Sequence, residues 1–290
     1  MGSPLVLPSP MFGRGVGGEA RSTPDRLALH VTNGDRPALA HLLTAGSHLP
    51  GPRANLALAR RFAAEAAALP ALNLIALIAP WLDLTLDEAP VDSPAEFLPA
   101  GAAIALGAAL AGPDADVTTL ELLLERAAHD PRWRTREGLV LGLQVAGERD
   151  GPRLLTLCDS WIASGDAYRM RAVVSTLAHT PILRHPGAAE IALRHGRAAI
   201  DWLQGQPAAR RATEGSETLT RSLGFALSVY VAAAPGPGFD LLDALLAGGD
   251  RATRRIVNQT LGHAGLAKAQ ATQVTRLKGW IFEMDDWQRG

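Results

Sequence analysis

Apolar residues recur at intervals of three and four along most of this chain, with polar residues between them. This spacing is typical of amphipathic helices. The period-two alternation of a half-buried strand does not occur between turn signals. The pattern therefore predicts an all-α protein. We expect helices near residues 35–45, 55–68, 71–87, 95–111, 117–129, 132–148, 152–164, 167–180, 187–204, 215–233, 239–247, 251–266 and 270–285.

The first residues of the chain depart from this pattern. Residues 1–25 are rich in Gly, Pro and Ser and show no apolar periodicity. A segment of this composition has too little apolar surface to bury for a stable fold. We expect a disordered tail over residues 1–25 and a single folded domain over residues 26–290.

The most regular stretch of the chain begins at Asp130. Asp130 has a side chain suited to capping a helix, Pro131 suits the first helical position, and Arg136 follows. Weaker copies of this pattern lie at 165–171 and 249–255. The arginines that mark the copies recur about once per pair of predicted helices, and one helix pair per ~34–47 residues is typical of helical repeat proteins. These anchor arginines are Arg136, Arg171 and Arg255, with Arg221 a plausible member between them.

The stretch that begins at Asp130 resembles the second helix of a HEAT-type repeat. The resemblance to HEAT-type repeats is clear across residues 115–265 and fainter across residues 30–112. The resemblance, which extends to uncharacterised bacterial HEAT-repeat proteins, implies a right-handed α-α superhelix, a HEAT-like solenoid, over residues 26–290. In such a fold each helix pair buries its apolar stripe against the next pair, and the second helices build a concave binding face. Close approach of helices is favoured by the small residues Ala102, Ala103, Gly107, Gly138 and Gly142.

Two roles are open to the charged residues of these second helices. We expect a structural ladder in which each anchor arginine pairs with a helix-capping aspartate of its own or the adjacent repeat. The ladder residues are Asp130, Arg136, Asp166, Arg171, Asp250 and Arg255. The concave face would bind a phosphate or an acidic peptide through Arg132, Arg134, Glu137, Gln144, Arg169 and Arg254. Among these, Arg132, Arg134 and Arg169 are the stronger candidates because no neighbouring carboxylate in the sequence claims them.

Trp133 has two interpretations. It shares a helical face with Val140 and Leu143, which predicts that it packs in the core. Trp133 and Glu137, four residues apart, with Arg171 in the next repeat, also resemble the site of the DNA alkylation-repeat glycosylases, which are themselves HEAT-like. That resemblance implies that Trp133 would press on the lesion or backbone, Glu137 would stabilise cationic charge at the sugar, and Arg171 would grip phosphate.

Composition decides which interpretation is preferred. The chain has 28 Lys+Arg against 29 Asp+Glu, a formal net charge of -1, which provides no overall field for nucleic acid or anionic lipid. The preferred interpretation is therefore a non-catalytic binding or scaffold protein whose concave face binds a protein partner. A DNA alkylation-repeat-like glycosylase or a damaged-DNA binder is the alternative.

Few further features change this interpretation. The single cysteine, Cys158, excludes an intramolecular disulfide, fits a reducing compartment and is expected to pack as a small hydrophobe. No secretory signal and no apolar run of ~20 residues is present, so we expect a cytoplasmic monomer without membrane contact. His185 and His195 lack metal-ligand spacing, and we expect no metal or cofactor.

Overall fold

The computed structural model of this chain describes residues 23–112 and 117–287. The predicted disordered tail, residues 1–25, lies outside these ranges except for its last three residues, which begin a helix at Thr23. The all-α prediction is confirmed, because every regular element in the described ranges is helical.

The first described part of the chain, residues 23–112, forms five α-helices and one short 3-10 helix. Three of these α-helices open with an aspartate, asparagine or proline before their first residue. The elements are α1 (Thr23–Thr32), α2 (Arg36–Ala45), α3 (Leu56–Ala66), α4 (Ala71–Leu82), the 3-10 helix Pro94–Glu96 and α5 (Phe97–Ala109).

Twelve further α-helices follow in the described ranges. They are α6 (Val117–Ala128), α7 (Trp133–Arg149), α8 (Gly151–Ala163), α9 (Ala167–Leu177), α10 (Thr180–Leu183), α11 (Ala188–Gly205), α12 (Ala208–Arg211), α13 (Glu214–Ala233), α14 (Pro235–Gly248), α15 (Arg251–Gly262), α16 (Ala264–Ala269) and α17 (Ala271–Trp287). The sequence pattern missed α1 and the short helices α10, α12 and α16. It also placed the start of α14 at residue 239, whereas the two prolines of this helix, Pro235 and Pro237, lie in its first turn, where no N–H is needed.

Six helices pack side by side in chain order and are called the helix row: α3, α5, α7, α9, α13 and α15. Helices α6, α8, α11 and α14 each pack against two consecutive members of this row. The apolar core runs through the whole assembly as one cluster, from Leu27 in α1 to Ile281 in α17. Cys158 is buried in this cluster, as predicted.

The closest packing in the row lies between α5 and α7. A Cβ atom added at Gly138 would lie 2.5 Å from the carbonyl oxygen of Ala100, and one at Gly142 would lie 2.3 Å from that of Ile104. Gly107 meets the backbone of Gly142 equally closely. These contacts confirm the predicted close approach. Because they advance together along both helices, α5 and α7 run parallel.

The rest of the row continues in the same direction. Arg171 of α9 contacts Arg136 near the start of α7, and Ser175 contacts Gln144 further along it. Gly215, at the start of α13, lies against the start of α9. The row helices from α5 to α13 therefore begin at one edge, which we call the N-terminal edge. No described helix combines the length and apolar content needed to cross a membrane.

Candidate functional site

The N-terminal edge brings together most of the charged residues singled out from the sequence. Here α6 ends and α7 begins at residues 129–133, α8 ends and α9 begins at residues 164–167, and α13 begins at Glu214. The starts of α7 and α9 supply arginines, and neighbouring elements, including the start of α13, supply carboxylates. We call the part of this edge formed by residues 130–137 and 166–171 the α7–α9 edge.

Arg132 is one of the most deeply buried side chains of the protein, at 2% exposure. Its Nε donates to Asp130 Oδ1 at 2.8 Å and its Nη2 donates to Asp130 Oδ2 at 2.7 Å. The prediction that Arg132 contacts a ligand is therefore wrong. Asp130 also does not cap α7 as predicted, because the helix begins at Trp133 and the carboxylate instead accepts the Arg132 backbone N–H.

Arg134 is likewise claimed by carboxylates, contrary to the prediction. Its Nη1 donates to Glu96 Oε2 at 2.7 Å, and its Nη2 donates at 3.0 Å to both Asp92 Oδ1 and the Gly51 carbonyl. Glu96 is fully buried, whereas the Asp92 side chain is about half exposed. Arg134 therefore fixes two loops, around Gly51 and Asp92, to the start of α7.

Arg169 also has a carboxylate that its local sequence does not reveal. Its guanidinium forms an ion pair with Glu125 of α6, and about a quarter of the Arg169 side chain is exposed. The third arginine predicted to be unclaimed is thus paired as well. In each of the three cases the partner comes from a contact that hydrophobic periodicity alone does not encode.

The anchor arginines Arg136 and Arg171 are buried, as a structural role requires, but the predicted aspartate partners are wrong. Arg136 Nη1 donates to the Asp130 carbonyl at 2.7 Å, and its Nη2 donates at 3.1 Å to Glu214, at the start of α13. Arg171 pairs with Glu137 and donates to the Arg136 carbonyl at 3.3 Å. The ladder joins neighbouring helices through glutamates.

Asp166 is a cap, as expected for the start of α9. Its Oδ1 accepts the Arg169 backbone N–H at 2.9 Å and lies 3.1 Å from His129 Nε2. Burial by itself would raise the pKa of Asp166, but the hydrogen bonds from His129 and Arg169 lower it. The hydrogen bond to Asp166 in turn raises the pKa of His129. A histidine–aspartate pair thus joins the end of α6 to the start of α9.

The third copy of the pattern differs from its prediction by one position. Asp250 caps α15 by accepting the Thr253 N–H at 2.9 Å, but it pairs with Arg211 at 2.7 Å rather than with Arg255. Arg254, predicted to bind a ligand, is buried at 9% exposure. Arg255, predicted to belong to the ladder, is exposed. Since neighbouring helical positions differ by about 100° in direction, a register error of one residue exchanges the two roles.

Trp133 is 48% exposed, so the prediction that it packs in the core is wrong. Val140 and Leu143, on the same helical face, are buried as expected. Trp133 is the first residue of α7, where the packed face of the helix ends. The guanidinium of Arg134 lies over the Trp133 ring, with the Arg134 Cζ 4.6 Å from the ring centroid.

The accessible face of α7 continues from Trp133 along polar residues. Glu137 is partly exposed and pairs with Arg171. Gln144 Nε2 donates to the Ser175 carbonyl at 3.3 Å, and Glu148 Oε1 lies 2.5 Å from His179 Nε2. These polar side chains therefore link α7 to the segment 171–179.

Four carboxylates that were not predicted from the sequence complete the α7–α9 edge: Asp92, Glu96, Glu125 and Glu214. Only Glu96 carried a signal, as a lone charge next to the apolar stretch of α5. Within residues 23–112 and 117–287, no three His, Cys, Asp or Glu side chains form a group that could hold a metal ion. Burial raises the pKa of the Cys158 thiol, which disfavours the nucleophilic thiolate.

Comparisons of this chain with protein-family models, with curated proteins and with solved structures found no match.

Proposed function

We propose that this chain is a non-catalytic binding or scaffold protein that recognises a protein partner through the surface around Trp133. We further propose that the helix row is a right-handed HEAT-like superhelix. The parallel packing of α5, α7, α9 and α13 in chain order supports this architecture, because successive repeats in such a superhelix contact only their neighbours. A location in the cytoplasm and a monomeric state remain predictions from the sequence.

The exposure of Trp133 is the observation that carries the proposal. Trp133 is 48% exposed and therefore presents a large apolar area to water, and this area becomes buried when a partner covers it. Tryptophan is enriched at the centres of protein interfaces, where it often contributes more than its neighbours. We therefore expect Trp133 to be the anchor of the interface.

The surroundings of Trp133 hold its ring in place before binding. Arg134 lies over the ring, and Arg134 is itself fixed by Glu96, Asp92 and the Gly51 carbonyl. A side chain that is already ordered loses less conformational entropy on binding. This support favours a recognition surface over an accidental exposed residue.

The charge balance around Trp133 favours a protein over DNA. Five arginines of the α7–α9 edge each meet at least one carboxylate: Arg132, Arg134, Arg136, Arg169 and Arg171. Binding to duplex DNA draws on uncompensated positive charge, which neutralises phosphates and releases counterions. A polar rim with charges of both signs around an exposed aromatic residue is instead typical of protein interfaces.

One observation supports the alternative of an alkyl-base glycosylase or damaged-DNA binder. Trp133 is accessible, Glu137 follows one helical turn later with a partly exposed carboxylate, and Arg171 lies beside Glu137. These are the three residues of the glycosylase resemblance. In this arrangement, however, Arg171 and Glu137 neutralise each other, which weakens both the grip on phosphate and the stabilisation of a cationic sugar.

The test of the main proposal begins with capture of partners from an extract of the organism that encodes this chain. A captured protein is then purified and its affinity measured by calorimetry against the wild-type chain, Trp133→Ala and Leu122→Ala. Leu122 of α6 is a matched control because it is also a large exposed apolar residue, at 66% exposure. We expect Trp133→Ala to weaken binding about tenfold or more and Leu122→Ala to leave it unchanged. Equal affinities for all three chains would refute the proposal.

The alternative is tested with fluorescence anisotropy on duplex DNA that carries an abasic-site analogue, beside undamaged duplex, at low and physiological salt. We expect no binding at physiological salt. Micromolar binding to the damaged duplex that weakens steeply with salt and is lost in Trp133→Ala would replace the protein-binding proposal. Base release that is abolished in Glu137→Gln would establish an enzyme.

A further inference from the structure

A second site lies at the opposite end of the helix row from α5. A cavity of about 360 Å³ opens between the end of α11, the short helix α12 and the first halves of α13 and α15. Its size falls within the range that small-molecule sites occupy in proteins. The apolar part of its lining comes from the buried side chains of Ile200, Leu203 and Ile256 and from the exposed Ala252, and polar side chains surround this floor.

The arginines of this cavity differ from one another in their partners. Arg211 forms an ion pair with Asp250 at 2.7 Å, so these two charges cancel. Arg221 of α13 and Arg255 of α15 also line the cavity, and both are exposed. Neither makes an ion pair or a hydrogen bond with the described part of the chain. The cavity thus holds two guanidinium groups whose donors are available.

We propose that this cavity binds a small organic acid. Its carboxylate or phosphate head would be held by Arg221 and Arg255, and its apolar body would rest on Leu203, Ala252 and Ile256. Guanidinium groups suit this role because their planar N–H donors match the oxygens of both head groups. The chemistry common to both sources is an anionic head on an apolar body.

One further charge sets the strength of this site. Glu217 lies one turn before Arg221 on α13 and also lines the cavity. With Arg211 and Asp250 cancelled, the remaining lining carries two positive charges and one negative charge. This balance attracts an anion, and the carboxylate of Glu217 opposes it. Removal of that carboxylate should therefore strengthen binding.

The proposal is tested by calorimetric titration of the full chain with octanoate, octyl phosphate and 1-octanol. The first two probes share an apolar body and differ in their head group, and the third is the neutral control. We expect at least one of the acids to bind and 1-octanol to bind far more weakly. The tighter acid identifies the head group. Failure of both acids to bind, or equal binding of 1-octanol, would overturn the proposal.

Variants locate the binding site. Arg221→Gln and Arg255→Gln should each weaken binding about tenfold, whereas Glu217→Gln should strengthen it about threefold. Arg276→Gln is the matched control, because Arg276 is an exposed arginine of α17 that pairs with Asp243 and does not line the cavity. Its affinity should equal that of the wild type. Equal weakening in all three arginine variants would show a general charge effect and overturn the proposal.

Discussion

The α7–α9 edge and the cavity lined by α11, α12, α13 and α15 each contain an aspartate followed within about two turns by arginines, at Asp130 and at Asp250, but the two regions use their arginines differently. At the α7–α9 edge, Arg132, Arg134 and Arg171 have little exposure and meet carboxylates. At the cavity, Arg221 and Arg255 are exposed and have no such partner within the described chain. The arginine pattern alone therefore does not reveal function.

The difference indicates what each arginine can do. A buried guanidinium that has lost its carboxylate leaves an uncompensated charge in a poorly solvated site, so paired arginines are part of the structure. An exposed guanidinium at a cavity remains hydrated and can exchange water for a ligand. We therefore expect substitutions at the α7–α9 edge to affect stability, and substitutions at the cavity to affect binding.

The largest effect should follow from the two aspartates that precede α7 and α15. Asp130→Ala removes the carboxylate of buried Arg132 and should lower the free energy of unfolding by about 3–5 kcal/mol. Asp250→Ala removes a helix cap and the exposed partner of Arg211, and should cost about 1–2 kcal/mol. Urea denaturation of both variants measures the difference. Equal losses would contradict the distinction between the two regions.

A smaller effect should distinguish the two carboxylates that share Arg134. Glu96 is fully buried, so Glu96→Gln weakens a charged hydrogen bond and should cost about 2 kcal/mol. The side chain of Asp92 is about half exposed, and Asp92→Asn should cost less than about 1 kcal/mol. Thermal unfolding of the two variants provides the comparison. A larger loss for Asp92→Asn would mean that Glu96 does not fix Arg134.

The His129–Asp166 pair makes the α7–α9 edge sensitive to pH. Because the folded state raises the pKa of His129, its contribution is full below about pH 6.5 and is lost as pH rises through the raised pKa. Because the pKa of Asp166 is lowered, its contribution is full above about pH 3.9 and is lost as pH falls through the lowered pKa.

The stability difference between wild type and His129→Gln should therefore be largest between about pH 4 and 6.5. It should amount to at most about 1 kcal/mol, because both side chains are partly exposed. Chemical denaturation across pH 3 to 9 measures this difference. A difference that does not change over this range would show that the pair does not contribute.

The smallest effect on stability is expected at the cavity. Arg221→Gln and Arg255→Gln should each change the free energy of unfolding by less than about 0.5 kcal/mol, as for ordinary surface substitutions. Urea denaturation beside the binding experiment separates the two properties. A loss above 1 kcal/mol for either variant would place that arginine in a structural role.

The fold class and the closest helix contact could be predicted because both depend on residues that lie near one another in the sequence of each helix. The three-and-four spacing specifies helices, and the small residues Gly107, Gly138 and Gly142 permit backbone contact between α5 and α7. The carboxylate partners of Arg134 and Arg136 could not be predicted, because they lie far away in sequence. Arg134 meets Glu96, 38 residues earlier, and Arg136 meets Glu214, 78 residues later.

The exposure of Trp133 and the register of α15 were missed for a different reason. The predicted starts of the two helices, at residues 132 and 251, lie within one residue of the observed starts, so what the local sequence left open was which side of each first turn the neighbouring helices cover. With α7 beginning at Trp133, the tryptophan lies where the buried face ends. On α15, one residue decides that Arg254 is buried and Arg255 is exposed.

The distinction between paired and available arginines is tested most directly by NMR of the arginine Nε–Hε groups, assigned with single Arg→Gln variants, with and without octanoate or octyl phosphate. We predict slow hydrogen exchange for Arg132, whose Nε donates to Asp130, and no shift of its signal on addition of the acid. Arg221 and Arg255 should exchange rapidly and shift. Equal exchange at all three arginines, or ligand-induced shifts at Arg132 but not at the cavity, would contradict the account.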